Sequence, residues 1–377
     1  MTTQVDGQLA GGRLIKRKPS CFSASEVSEW LAFIDYPNAA SISPSTFDAN
    51  LENLELVVHK HLLRVPFSNL DLHYTAWRGT IVDPRDYYER HVSKTGRRFG
   101  DVCFAATGLL LEMLRGLGYR VYGGGGRMNK AADGAPPQFG GLQHEVGFLQ
   151  LGEDDRTTYV FDVSYGLGGL TRPILLSADP SNIVPGAAPP ECHRLTKVPH
   201  PDSAIEGSSE WRLEVRCGQM YSGGWKIIYS FTEEEFYYPD FDMWMHAFNT
   251  REGGPGFWSS NPFVRYLIVI KCFTLDDESI RDIRARDRDA AHCATALAEQ
   301  TLEARKAPLP NSKIGPPMGR LFLFHDKVTM HVGDTAKVLR TLKTEEDRVA
   351  ALRDLFDIHV DEAATRYVRP AARLGKL

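Results

Sequence analysis

The sequence predicts an α+β protein in which helices come first and strands follow. Two observations support this prediction. Apolar residues recur at helical spacing as far as about residue 118, and beyond Gly118 the apolar period changes to two. With 377 residues, of which 42% are hydrophobic, the chain can bury a substantial core and divide into two or three domains.

Composition excludes nucleic acid and membrane as the main partners. Lys and Arg number 44 against 48 Asp and Glu, which gives a net charge of −4. No apolar run approaches the ~20 residues of a membrane span. Residues 1–21 lack the apolar block of a signal peptide, and we predict them to be a flexible leader.

Six cysteines are scattered along the chain without a C-x-x-C pair. This pattern favours neither a disulfide framework nor a zinc site, and the sequence holds no other cluster with metal-ligand spacing. We therefore expect a reduced, cytoplasmic protein with no bound metal.

Two helices are predicted before the central one. The first opens on a serine cap, Ser23 or Ser25, and Glu26 stands three residues after Ser23, as in a capping box. The second follows the break at Pro44 and ends before Pro66, because proline has no N–H to donate inside a helix. Its apolar residues recur at helical spacing: Phe47, Leu51, Leu54, Val58 and Leu62.

The central helix opens at Cys103, within the stretch FGDVCFAATGLLLEMLRGLGY. Asp101 is a candidate N-cap, since its carboxylate can accept from free backbone N–H groups of the first turn. Cys103 would then lie on that first turn, where the helix dipole favours a thiolate. The alternative is that Cys103 is simply a small core residue on an apolar helix.

Two alternating strands are predicted over residues 142–151 and 157–166, joined by a polar turn. If the turn is centred on Glu153, His144 and Asp162 stand directly opposite each other on one face. A slip of one residue would separate the pair onto opposite faces. The pair could be purely structural, but together with Cys103 it completes the set of groups needed for thiol catalysis.

The remaining segments are predicted mainly from composition. The glycine run 123–126 lacks the P-loop pattern and is predicted as a flexible turn. Residues 177–210 are rich in Pro and Ser and are predicted as a long excursion or linker, with Cys192 and His193 exposed on it. Residues 276–305 are predicted as a charge-rich helix, and residues 319–332 as a closing hairpin before a final helix.

Several segments together resemble the arylamine N-acetyltransferase family. They occur in the family's order from about residue 22 to 362, and the acidic-aromatic run FTEEEFYYPDFDMW is most similar to its fungal branch. Besides the cysteine of the central helix and the histidine of the first alternating strand, they are RVPFSNLDLHY, YVFDVSYG with GGLTRPILL, WKIIYSFTEEEFYYPDFDMWMHAFNT, SSNPFVRYLIVIKCF and GRLFLFHDKVTMHVG.

The resemblance implies a three-part architecture with a core like that of cysteine proteases. A helical domain at 22–118 would carry the nucleophile. A β-barrel-like domain at 119–235 would carry the histidine and the aspartate. An α/β lid at 236–377 would close over them.

The resemblance also implies an acyl-CoA-dependent N-acyltransferase that works by a ping-pong mechanism. Cys103 matches the acyl-accepting nucleophile, His144 the base and Asp162 the residue that orients the base. Tyr165 and Gly166 match residues that line the acyl-CoA cleft. A sixth residue, Tyr229, matches a tyrosine near the bound coenzyme.

The implied substrates are an acyl-CoA donor and an amine acceptor. Acetyl-CoA or malonyl-CoA would supply the acyl group, and no cofactor would be bound permanently. An arylamine or arylhydrazine would accept the group, which is the chemistry of xenobiotic detoxification.

One motif departs from the family pattern. The family reads R-G-G-x-C where this chain has Phe99, Gly100, Asp101, Val102 and Cys103. A carboxylate beside the thiolate would disfavour it and repel an anionic coenzyme. Two alternatives therefore stay open: a transglutaminase-like cysteine hydrolase, and a non-catalytic relative that only binds ligand.

Overall fold

The computed structural model describes residues 5–94, 96–221, 224–250, 261–283, 285 and 315–375. Its α-helices are α1 (Ala24–Phe33), α2 (Leu51–Arg64), α3 (Leu70–Tyr74), α4 (Pro84–Tyr87), α5 (Cys103–Gly116), α6 (Tyr238–Thr250), α7 (Pro262–Arg265) and α8 (Glu345–Phe356), with a further helical stretch at 277–283. None of the helices in these residues combines the length and the apolar character needed to cross a membrane.

In the described residues, all strands except β1 follow α5. The strands are β1 (Phe67–Ser68), β2 (Arg120–Asn129), β3 (Phe139–Gln150), β4 (Thr158–Phe161), β5 (Ile174–Leu175), β6 (Ile183–Pro185), β7 (Cys192–Val198), β8 (Glu210–Arg216), β9 (Lys226–Glu235), β10 (Ile268–Thr274), β11 (Met318–Phe324), β12 (Lys327–Val332) and β13 (Thr335–Thr341). The predicted order of helices followed by strands is therefore present.

The N-terminal helices form because their sequences supply capping residues for the free backbone groups and an apolar face for the core. Ser23 caps α1 in a capping box: its side chain accepts from the backbone N–H of Glu26, whose carboxylate accepts from Ser23 N–H at 2.7 Å. Trp30 of α1 and Leu54 of α2 are fully buried and share one apolar core with Leu110 of α5. This core fixes the helix that begins with Cys103.

The larger sheet is antiparallel and has the strand order β5-β4-β3-β2-β9-β8-β7-β6. Its inner face holds a second apolar core, which includes Phe148 of β3 and Trp211 of β8. The side-chain amide of Asn182 donates to the carbonyl of Leu175 at 2.9 Å, which brings the two edge strands β5 and β6 near each other. The sheet is thus a nearly closed barrel, as the prediction of a barrel-like middle part requires.

The smaller sheet joins the N-terminal third of the chain to its C-terminal part. Its order is β1-β10-β11-β12-β13, and β1 pairs with β10 so that Phe67 lies opposite Ile270. Tyr74 and Phe99, from the predicted helical domain, share an apolar core with Leu323 of β11 and Leu352 of α8. The C-terminal sheet therefore does not stand apart from the N-terminal third of the chain.

The predicted flexible leader is wrong for residues 5–21. Gln8 forms a bridge with Thr157, and the side chains of Leu9 and Ile15 are buried in the chain's interior. The backbone N–H of Ile15 donates to the side chain of Gln150 at 2.8 Å. Burial of these apolar side chains and pairing of these backbone groups hold the segment against the larger sheet.

The segment 177–210 is not a linker, because β6 and β7 lie within it and complete the larger sheet. His193, expected on an exposed loop, is fully buried on β7. Of the charge-rich segment predicted as a helix at 276–305, residues 277–283 and 285 are helical, and the rest lies outside the described residues.

Candidate active site

Cys103 is the first residue of α5 and is almost fully buried, with 7% of its surface exposed. The turn before it depends on Gly100, whose φ is +72°. A Cβ atom at this position would collide with the carbonyl oxygen of Pro66, so the turn requires glycine. The thiol is thereby placed where the helix N-terminus stabilises negative charge.

Asp101 does not cap the helix, contrary to our prediction. The N-cap is Val102, whose side chain cannot accept a hydrogen bond from the first turn. Asp101 lies one residue before the N-cap position. The carboxylate oxygen Oδ1 of Asp101 accepts from the backbone N–H of Val102 at 2.8 Å. Its carbonyl oxygen accepts from Ser68 N–H at 3.1 Å and so ties the segment to β1.

The second carboxylate oxygen of Asp101 faces Arg90, whose Nη2 atom lies 3.3 Å from Oδ2. Arg90 is part of a π-helical turn, Tyr88–Val92, and it also pairs with Asp71 and Asp86. Burial, followed by the neighbouring charge of Asp71, raises the pKa of Asp101 to about 8, although Arg90 favours the carboxylate. At neutral pH the carboxyl group of Asp101 is therefore mostly protonated. Where it is ionised, its charge faces the guanidinium group of Arg90.

Asp71, His91 and Asp101 also have the arrangement of metal ligands, with their ligand atoms within 4.8 Å of one another. The guanidinium group of Arg90 already lies among them, with Nη1 2.8 Å from Nε2 of His91. A second cation at this point would be repelled by the first. We therefore assign the cluster to the support of the Cys103 turn.

The histidine and aspartate predicted to pair are brought together. Nε2 of His144, on β3, lies 2.7 Å from Oδ2 of Asp162, and both side chains are at least 98% buried. The predicted direct opposition is wrong, because Gly147 pairs with Phe161 and β4 ends before Asp162. The strands are offset by two residues from the predicted register, which leaves both side chains on the same face.

Asp162 is held by the loop that follows it. Its other oxygen, Oδ1, accepts from the backbone N–H groups of Ser164 at 2.9 Å and Tyr165 at 3.2 Å. The rings of Tyr165 and Tyr229 lie 5.6 Å and 5.0 Å from the imidazole of His144. Both tyrosines assigned from the resemblance therefore contact the candidate base.

Cys103 and His144 are neighbours, since the thiol is among the groups that raise the pKa of His144. The thiol donates to the carbonyl oxygen of Gln143, the residue before His144, at 3.7 Å. Because Nε2 faces Asp162, Nδ1 is the ring nitrogen available to the thiol. Burial alone would lower the pKa of His144, but Asp162 and the hydrogen bond with Cys103 raise it to about 10. A buried imidazolium beside a cysteine favours the thiolate, so this arrangement can supply a nucleophile and later return its proton.

A cleft opens beside the loop that follows Asp162. Tyr165 and Gly166 line it, as do Phe67 of β1, Ile270 of β10 and Arg320 of β11. Phe67 also packs against the apolar cluster that contains Cys103. The cleft thus lies between the two sheets, and Phe67 separates it from the cluster that contains Cys103.

The glycine run 123–126, predicted as a flexible turn, is part of β2 and pairs with both β3 and β9. A Cβ atom on Gly125 would lie 3.1 Å from Trp244 of α6 and 3.2 Å from Phe236. The absence of side chains lets these aromatic rings pack close to the sheet. Phe104, next to the nucleophile, in turn packs against Phe241 of α6 at 5.5 Å between ring centroids.

Sequence reasoning missed Arg90 and α6 as parts of the site. Arg90 precedes Cys103 by thirteen positions, and no local sequence pattern predicts the π-helical turn that contains Arg90. The four-glycine run could have indicated α6, because glycines inside a strand often mark close packing against another element.

Comparison with known proteins gives one consistent result. A family model described as N-acetyltransferase matches residues 50–288. A relative named N-malonyltransferase, from Fusarium pseudograminearum (strain CS3096), is 27% identical over 369 residues and covers 91% of this chain and 91% of its own. The family model covers the larger sheet and all six residues assigned to the site from the resemblance, and it ends before β11.

Solved structures share the fold. The arylamine N-acetyltransferase of M. tuberculosis superposes with a TM-score of 0.63 at 20% identity, covering 92% of this chain and 99% of its own. The arylamine N-acetyltransferase of Mycobacterium marinum in complex with CoA gives a TM-score of 0.62 at 20% identity, covering 92% and 98%. Both have mixed helix and sheet content, as predicted here from the sequence.

Proposed function

Because this chain belongs to the arylamine N-acetyltransferase family, we propose that it transfers an acyl group from acyl-CoA to an arylamine or arylhydrazine by a ping-pong mechanism. The observation that supports this most strongly is the bond of 2.7 Å between His144 and Asp162, which lies beside the thiol at the first residue of α5. These are the groups of a nucleophile, a base and an orienting carboxylate.

In the first half-reaction, the Cys103 thiolate attacks the carbonyl carbon of the thioester. A sulfur–carbon bond forms, the bond to the CoA sulfur breaks, and the imidazolium of His144 gives its proton to the departing thiolate. Asp162 holds the imidazole in the required tautomer and stabilises its positive charge. The product is an acyl-Cys103 enzyme and free CoA.

In the second half-reaction, the amine nitrogen attacks the acyl carbon of the acyl-enzyme. A nitrogen–carbon bond forms, the sulfur of Cys103 leaves as a thiolate, and neutral His144 takes the proton of the amine. Thiol-for-thiol exchange is nearly balanced, so the formation of the amide drives the overall reaction.

The aromatic surroundings of Cys103 support an aromatic acceptor. The rings of Phe67 and Phe263 meet edge to face at 6.2 Å, and both pack against the apolar cluster that contains Cys103. Phe104 contributes from the nucleophile's own helix. An aryl ring would find offset and edge-on partners here, whereas an aliphatic amine would gain less.

The test is the intact mass of the protein after incubation with acetyl-CoA and, separately, with malonyl-CoA. We expect one acyl group per chain, which is lost on addition of aniline with formation of the corresponding anilide. Cys103→Ser is the matched control, since it keeps the size of the side chain but removes the thiol, and it should show no acylation.

Two outcomes would contradict the proposal. Acylation that persists in Cys103→Ser would place the nucleophile elsewhere. An acyl-enzyme that is discharged by water at the same rate with and without aniline would identify a hydrolase instead. Comparison of the two donors also shows whether the donor carries a terminal carboxylate.

A further inference from the structure

The loop after Asp162 determines the shape of the candidate site. Its residues Ser164 and Tyr165 donate the two backbone N–H groups that bond Asp162, and Tyr165 and Gly166 line the cleft. A hydrogen bond of 3.3 Å from Gly169 N–H to the carbonyl of Gly166 closes the loop on itself. A side chain that holds the far end of this loop therefore also helps to fix the position of Asp162.

His193 holds one carbonyl of the loop. Its Nε2 atom lies 2.9 Å from the carbonyl oxygen of Gly168, so this nitrogen must be the one that carries the proton. The imidazole is fully buried on β7, and burial lowers its pKa, which keeps it neutral. A neutral imidazole has one N–H, and here it is directed at this carbonyl.

Arg320 holds the next carbonyl. Its Nη2 atom donates to the oxygen of Gly169 at 3.2 Å, and the side chain also lines the cleft. Glu191 fixes the guanidinium group with two bonds, 2.5 Å to Nη1 and 2.9 Å to Nη2. Glu191 is itself anchored, because the backbone N–H of Ala187 donates to its Oε1 at 2.9 Å.

These three side chains come from two different parts of the chain, β11 and the segment around β7. A buried ion pair adds little net stability, since the loss of hydration offsets most of the attraction. Its directional donors, however, fix the position of whatever they bond. The pair and the histidine are aimed at adjacent carbonyls of one loop.

We propose that Glu191, Arg320 and His193, the carbonyl clamp, are positioning residues that hold the Ser164–Gly169 loop so that Asp162 and Tyr165 stay aligned on His144. The inference deepens the proposed function and rests on it for its catalytic meaning. None of the three side chains bonds the reacting sulfur or His144, so the clamp acts on them through the loop.

The deciding measurement is the rate at which iodoacetamide alkylates Cys103 as a function of pH, read by intact mass. Cys103→Ser identifies any alkylation at other cysteines. His193→Leu removes the donor at nearly equal volume, whereas His193→Gln keeps an N–H. We expect His193→Leu to slow alkylation at neutral pH about fivefold, the scale of one net hydrogen bond, and to shift the profile to higher pH. His193→Gln should restore the native profile.

Arg320→Lys gives an independent arm if His193→Leu does not fold. It keeps the charge facing Glu191 but loses the planar fork that reaches the carbonyl of Gly169. We expect the same upward shift of the profile. A native profile in every folded variant, or equal profiles for His193→Leu and His193→Gln, would overturn the clamp, even if the variants melt at lower temperature.

The alkylation test needs no acyl donor, so it separates this proposal from the previous one. If no acyl-CoA acylates the native protein, the proposed function fails, and the alkylation profiles still decide whether the clamp aligns the site. If the native protein is acylated but the profiles do not move, the clamp alone is overturned.

Discussion

His144 directs Nε2 at the carboxylate of Asp162 across 2.7 Å, and both side chains are shielded from solvent. In this setting the carboxylate does two things. It fixes which nitrogen of the imidazole carries the proton, and its charge stabilises the imidazolium. The other ring nitrogen, Nδ1, is then available to exchange a proton with Cys103.

The first prediction concerns Asp162→Asn. An amide can turn its NH₂ group toward His144 and so favour the wrong tautomer, while the fold is kept. We expect acyl transfer to fall by roughly three to four orders of magnitude with little change in melting temperature. Single-turnover acylation followed by intact mass measures this effect. Asp202→Asn, on an exposed side chain, is the control, and a loss of less than about tenfold in Asp162→Asn would contradict the assigned role.

The second prediction concerns Asp101→Asn and the pH dependence of stability. The pKa of Asp101 is raised to about 8 in the folded protein by burial, so the folded state binds a proton that the unfolded state has released above about pH 4. Stability from this group is therefore lost as pH rises from about 4 to 8. Each pKa unit is worth about 1.4 kcal/mol, which bounds the loss at about 6 kcal/mol.

Urea unfolding of the native protein and Asp101→Asn across this pH range measures the difference. The native protein should lose stability relative to the variant as pH increases, because the amide cannot ionise. The free energy of unfolding of Asp202→Asn should change with pH in the same way as that of the native protein. A constant gap between the native protein and Asp101→Asn would show that Asp101 is already ionised at low pH.

The third prediction concerns Gly100→Ala. The alanine side chain would be forced into a left-handed conformation and against the carbonyl of Pro66. We expect a loss of at least about 2 kcal/mol in the free energy of unfolding, together with slower alkylation of Cys103. Gly141→Ala, where a Cβ atom meets nothing within 4 Å, should leave both measurements nearly unchanged. Equal effects of the two substitutions would contradict the requirement for glycine at 100.

The pairing of His144 with Asp162 could be predicted because it depends on parity. Side chains alternate along a strand, so any even error in the register leaves both residues on one face. The direct opposition could not be predicted, since it depends on how many residues the turn after Gln150 consumes. That number is set by tertiary contacts of the turn rather than by its composition, for example the bond of 2.8 Å from Arg120 Nε to the carbonyl of Gly152.

The roles of Asp101 and His193 could not be predicted, for two different reasons. Asp101 has the chemistry of a helix cap, but a guanidinium group brought in by a distant turn competes for its carboxylate. His193 lies on β7 in a stretch whose proline content is typical of loops, and the neighbouring edge strand β6 has only three residues. In both cases long-range packing outweighs the local signal.

The pairing of β1 with β10 has a consequence for the order in which the protein is made. Asp101, two residues before the nucleophile, bonds Ser68, and Ser68 pairs with Val269. When the chain has left the ribosome as far as β9, Cys103, His144 and Asp162 have all been synthesised and released. The strand β10, which pairs with β1 and so holds the turn before Cys103, has not yet emerged. Since long-range strand pairing is slow to form, we expect a nascent chain to become reactive toward iodoacetamide at Cys103 in the native manner only after β10 has emerged.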